Sequence, residues 1–156
     1  MYQIKTEVDR IEGIFSADLA NVDRLMKCLR LFMKKNRLTS ESFACELVAR
    51  EALNNAIVHA FGGDSKKKIR FILEFRPQDI IMKISDEGHG FDWRKCLAKE
   101  YDPKSTSGRG VLLLKLYASE FQFNEKGNEI LFTFPCHRRG RELSGSKTSE
   151  KGKYPG

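Results

Sequence analysis

A carboxylate and a carboxamide one helical turn apart are the first residues in this chain whose types and spacing could do chemistry. They lie in Glu51-Ala52-Leu53-Asn54-Asn55-Ala56-Ile57-Val58-His59. At about 100° per residue, Glu51 and Asn55 fall about 40° apart on one helical face. Ala44, Leu47, Val48 and Val58 surround them on the wheel, so the spacing predicts a carboxylate set within an apolar sector. Taking an ionised carboxylate out of water without a partner is costly. Two readings stay open: a glutamate bonded to a nearby backbone or arginine, or one held there for a proton transfer.

The second segment, Ser85-Asp86-Glu87-Gly88-His89-Gly90-Phe91, directly follows a strand-like run. Asp86 at a strand end, followed by Gly88 and Gly90, either makes a plain turn or lets a ligand lie close against the backbone. In the third, Ser105-Thr106-Ser107-Gly108-Arg109-Gly110-Val111, a glycine-rich loop opens a helical pattern. Helix N-termini offer unpaired N–H groups and the positive end of the dipole, which suit phosphate. No Gly-Lys-Ser/Thr closes this loop and no parallel βαβ unit surrounds it, so it is neither a P-loop nor a dinucleotide fingerprint.

Elements must position these groups. Ile4, Thr6 and Val8, then Ile11 and Ile14, read as one opening strand. Ser16 or Asp18 can cap a helix whose apolar positions are Val22, Leu25, Leu29, Phe32 and Met33, with Lys34, Lys35 and Arg37 at its end. Thr39 or Ser40 then caps a second helix predicted to reach about Phe61 and to stop at Gly62-Gly63. Residues 68–75 and 80–84 form a hairpin pattern across Arg76-Pro77-Gln78-Asp79. A third helix over 111–118 and two last strands, near 121–123 and 129–134, joined through Lys126-Gly127-Asn128, complete the chain. Helices and hairpin strands in this order predict a two-layer α+β sandwich.

The bulk properties narrow the function. A chain of 156 residues with 40% hydrophobic and 31% charged residues is the size of one domain and can build a core. Met1 is followed by no basic start and apolar run, and no stretch nears the roughly 20 apolar residues that span a bilayer, so an intracellular, cytoplasmic protein with no membrane partner is expected. Four cysteines, at 28, 45, 96 and 136, fit neither a zinc site nor a disulfide scaffold and read as reduced and structural. The net charge of +7 lies largely in a tail: 137–156 holds six basic and two acidic residues. No basic stripe interleaved with aromatics crosses the body, which argues against nucleic acid as a partner. Residues 1–136 therefore read as the domain, and 137–156 as a basic, flexible extension.

The order of the three segments resembles the GHKL ATP-binding domain of gyrases and histidine kinases. Glu51 to His59, together with Gly108-Arg109-Gly110-Val111-Leu112-Leu113-Leu114-Lys115, is most similar to the anti-sigma factor serine/threonine kinases; the resemblance covers roughly 4–135. It implies the Bergerat, histidine kinase-like ATPase fold, with a mixed, mostly antiparallel sheet and helices on one face. It also implies ATP and magnesium as cofactors, a sigma factor and a small antagonist phosphorylated on serine as partners, and a homodimer. By the same resemblance Glu51 is the general base, Asn55 the magnesium ligand, and Asp86 the acceptor for the adenine amino group. Gly88 and Gly90 would pass beneath the purine; Gly108 and Gly110, helped by Ser107 and Arg109, would hold the phosphates. Asn54, His59, His89, Lys104 and Arg24 are secondary candidates. A nucleotide-dependent binding module without kinase activity is the alternative. A histidine kinase catalytic domain is disfavoured, because the first helix has no histidine.

Overall fold

The computed structural model describes residues 1–57, 66–86, 117–126 and 128–136. The chain starts with a hairpin of β1 (Tyr2–Thr6) and β2 (Arg10–Ser16), not the single strand its alternation predicts. The inward phase shifts between Val8 and Ile11, and a turn absorbs the shift. Glu7 N–H donates to the Arg10 carbonyl at 2.7 Å, Thr6 pairs with Ile11, and Val8 is 83% exposed at the tip. Opposite Ile4 sits the buried Gly13. A Cβ there would run into the Ile4 side chain, so the glycine lets that side chain settle on β2.

Helix α1 (Leu19–Lys35) is capped by Asp18, whose side chain accepts from Ala20 N–H at 2.8 Å. Its buried residues Val22, Leu25, Met26, Leu29, Phe32 and Met33 follow the helical period. At its other end Leu38 N–H reaches the Met33 carbonyl at 2.8 Å and Arg37 N–H reaches Lys34 at 3.1 Å, the two bonds of a Schellman stop. Arg37 takes the left-handed position of that motif, at φ 59°. A side chain there is strained where glycine is not, so Arg37→Gly is expected to raise stability by about 0.5–1 kcal/mol in urea unfolding, once the looser unfolded chain is allowed for.

Helix α2 (Thr39–Asn55) returns antiparallel to α1. Its N-cap is Leu38, with no side-chain cap, and not the expected Thr39 or Ser40. The Schellman turn of α1 runs straight into α2 and leaves no spacer for an independent cap. Ser40 instead donates to Glu41 at 2.6 Å, and Glu41 lies buried in the first turn, where the dipole favours an anion. Two ion pairs hold the helices side by side: Arg30 grips Glu46 through Nε and Nη2 at 2.7–3.0 Å, and Arg50 meets Asp23 at 2.8 Å. The expected continuation to Phe61, and the Gly62-Gly63 stop, lie outside the described residues.

Strands β3 (Lys68–Phe75) and β4 (Asp79–Asp86) form the predicted hairpin, closed by Arg76 N–H to the Asp79 carbonyl at 2.8 Å. Next come β5 (Glu120–Phe123) and β6 (Glu129–Pro135). The sheet order is β1-β2-β3-β4-β6-β5, and every pairing among these described strands is antiparallel. Both helices cover one face, where Phe15, Phe71, Phe132 and Phe134 meet Leu25, Met26, Leu29 and Leu53 in one core. The other face alternates polar, with Glu12 paired to Arg10 and Arg70. The architecture is thus the α+β two-layer sandwich. The third predicted helix lies outside the described residues except at its end. No described helix is long and apolar enough to cross a membrane.

Cys28, Cys45 and Cys136 are free thiols. Burial pushes the Cys45 thiol up from its ordinary value of 9.0, with Glu41 and Cys136 adding to the shift. Above pH 9 the unfolded chain therefore gives up this proton while the folded chain keeps it. The thiol's contribution is complete below pH 9 and is lost as pH rises beyond it. Urea midpoints measured from pH 7 to 10 are expected to fall at the alkaline end, and less so in Cys45→Ala relative to its own neutral value.

Candidate functional site

Chain direction assembles the site. β2 ends at Ser16 and α1 starts there, runs the length of the sheet, and turns into α2, which comes back. The last turns of α2 therefore lie beside the first turns of α1, where Arg50 holds Asp23. β4 ends at the same edge: Asp86 pairs with Ile69 near the start of β3, which itself lies opposite Phe15 near the end of β2. Glu51 and Asn55 on the helix and Asp86 on the strand are in this way brought to one end of the domain.

Asp86 continues the inward phase of Ile80, Met82 and Ile84, and is 9% exposed. Its carboxylate thus belongs to the face that α2 covers. Few acidic side chains are buried this deeply without a task or a partner, and Asp86 does make further interactions. Its backbone is held on both sides by one residue: Asp86 N–H donates to the Asn128 carbonyl at 3.0 Å, and Asn128 Nδ2 donates to the Asp86 carbonyl at 3.2 Å. Asn128 was legible in the sequence only as part of a turn. Nothing in its spacing points to β4, because the contact joins residues 42 positions apart.

Glu51 is half-buried, on the flank of α2 that also carries the half-buried Ala44, Leu47 and Asn54. The expected apolar sector is thus a boundary: Val48 and Ala52 turn inward, and the carboxylate keeps an open side. A base that must reach another molecule needs that opening. Just beyond Asn55, Ala56 keeps helical backbone angles, and its N–H still reaches the Ala52 and Leu53 carbonyls. Arg24 is engaged elsewhere, stacked 3.8 Å over the Tyr2 ring and donating to Asn21 at 3.4 Å. Gly88, Gly90, Ser107, Gly108, Arg109 and Gly110 lie outside the described residues, as do His59, His89 and Lys104.

Among the described residues no group of three His, Cys, Asp or Glu side chains could hold a metal. Magnesium at a nucleotide needs no such cage. It keeps several waters and takes one or two protein oxygens beside the phosphates. An asparagine at 55, in the last turn of α2, is a donor of that kind.

Comparison with known proteins places the domain in a family. The family model for the histidine kinase-like ATPase domain matches residues 15–134, from the end of β2 to the end of β6. This chain belongs to the histidine kinase-like ATPase family, and ATP binding comes with that membership. It is also similar to the serine/threonine-protein kinase BtrW of Bordetella bronchiseptica, at 28% identity over 97 residues, covering 58% of this chain and 68% of the relative. The function common to both findings is ATP-dependent and kinase-like.

Proposed function

We propose that this chain is a magnesium-dependent serine kinase that also acts as an anti-sigma factor. It would sequester a sigma factor until a small antagonist displaces it, and would phosphorylate a serine of that antagonist. The observation that carries the reading is Glu51: a half-buried carboxylate with an open side, at the same end of the domain as Asp86. Binding ATP requires no base, whereas activating a serine hydroxyl does. Asp86 would accept from the adenine amino group, Asn55 would supply the magnesium oxygen, and Glu51 would take the proton as the serine oxygen attacks the γ-phosphate. The bond to the β-phosphate then breaks and ADP leaves. The resemblance to a named serine/threonine kinase supports this chemistry. The protein would work in the cytoplasm as a homodimer.

The test mixes the full chain with ATP, magnesium and candidate antagonist proteins, and seeks phosphoserine by mass spectrometry. Stoichiometric phosphoserine on one candidate is the expected result. A candidate that binds in an ATP-dependent way yet never becomes phosphorylated would point instead to a nucleotide-dependent binding module.

A further inference from the structure

The end of β4 is held by Asn128 of the β5–β6 turn, which Asn124 braces in its place. Asn128 brackets Asp86 through its own backbone carbonyl and its Nδ2, at 3.0 and 3.2 Å. That leaves its Oδ1, which accepts from Asn124 Nδ2 at 2.6 Å. Asn124 Oδ1 in turn accepts from Glu129 N–H at 3.2 Å, and Asn124 N–H donates to the Glu129 carbonyl at 3.3 Å. Both carboxamides are thereby fixed in rotation and flip, since each uses its oxygen as acceptor and its nitrogen as donor. Asn124 and Asn128 are themselves half-buried, so these bonds face less competition from water than surface ones.

Ladder pairing alone does not require this arrangement. β4 and β6 pair regularly from Asp79–Pro135 to Ser85–Glu129, and the register stops one residue short of Asp86. The final residue of β4, where the chain leaves the sheet, is held on the β6 side by a side chain as well as by backbone. We infer that Asn128, locked by Asn124, is a positioning residue for nucleotide selectivity: it fixes the Asp86 backbone so that the carboxylate meets an exocyclic amino group on the base. The inference rests on the reading of Asp86 as the adenine contact. Asn128 itself touches no nucleotide in this account and acts through Asp86.

The test compares ATP with inosine triphosphate, whose base carries a carbonyl where adenine carries the amino group. Affinities of both are measured by calorimetry for the wild type, Asn128→Ala, Asn124→Ala, Asp86→Asn and the double variant Asn128→Ala/Asp86→Asn. Among the described non-glycine residues only Arg37 has a positive φ, so alanine at 128 meets no backbone strain. Asn128→Ala is expected to weaken ATP about five- to ten-fold, on the order of one hydrogen bond, while inosine triphosphate changes less than two-fold. Asn124→Ala should shift the ratio the same way to a smaller degree. The double variant should bind ATP no worse than Asp86→Asn alone, because the second change then acts on a contact already lost. Equal weakening of both nucleotides would mark a merely structural turn and overturn the proposal, as would additive losses in the double variant. If Asn128→Ala does not refold, Asn124→Ala and Asn128→Ser carry the same comparison. A wild type that binds ATP with no preference over inosine triphosphate, unaffected by Asp86→Asn, would remove the adenine reading and this inference with it. Loss of selectivity in Asp86→Asn but not in either asparagine variant would remove the inference alone.

Discussion

Replacing Glu51 with glutamine is expected to lower phosphoryl transfer to a partner serine by about 10²- to 10⁴-fold, the usual worth of a positioned general base. ATP affinity should stay within about two-fold. Glutamine keeps the size and most of the helix propensity of glutamate, and Glu51 is half-buried on a flank and not packed in the core, so stability should hardly move. The discriminating feature is the split: a fall in kcat with little change in nucleotide affinity removes an interaction made only as the hydroxyl loses its proton. Single-turnover phosphorylation with excess kinase, measured beside nucleotide titration, checks both halves. A parallel fall in affinity and rate would mean that Glu51 shapes the nucleotide site and is no base.

Asp86→Asn is expected to weaken ATP by about 10²-fold or more. A buried carboxylate that accepts from a ligand amino group is worth about 1.5–3 kcal/mol as a charge-assisted bond. The substitution also turns one acceptor oxygen into a donor that opposes the adenine amino group, which adds to the loss. The same donor suits a base bearing a carbonyl, so affinity for inosine triphosphate should hold or rise. Because Asp86 lies 9% exposed at the strand end and not under the aromatic core, the fold should survive, and circular dichroism should be unchanged. Nearly equal ATP affinities for Asp86→Asn and the wild type would assign the carboxylate a purely structural place.

Period-two runs made β3, β4, β5 and β6 readable within a residue or two. The 3.6 period made α1 readable, and of the two caps it allowed, Ser16 and Asp18, the chain uses Asp18. The opening hairpin was not, because its turn over 7–9 lacks glycine or proline and Val8 continues the alternation into the loop. The start of α2 was misjudged for a similar reason. Thr39 and Ser40 are good capping residues, but the Schellman turn through Arg37 and Leu38 claims the preceding backbone, a three-dimensional constraint no capping preference encodes. At the site, Glu51 and Asn55 stood out because they share a helical face among apolar residues, and Asp86 because it ends a strand just before two glycines. Their meeting at one end follows from α2 running back along α1, a fact of topology. The Asn128 contact was invisible because it links two strand ends far apart in sequence.

The most direct test of the nucleotide site is calorimetric titration of ATP and ADP into the full chain, with and without magnesium, supported by melting curves. Saturable binding near one nucleotide per chain, tightened by magnesium for ATP, is the predicted outcome. It should come with about 2.7 kcal/mol of stabilisation when free ligand reaches a hundred times its dissociation constant. No heat and no change in Tm at millimolar nucleotide would contradict the account, leaving Glu51, Asn55 and Asp86 as structural features of an α+β sandwich.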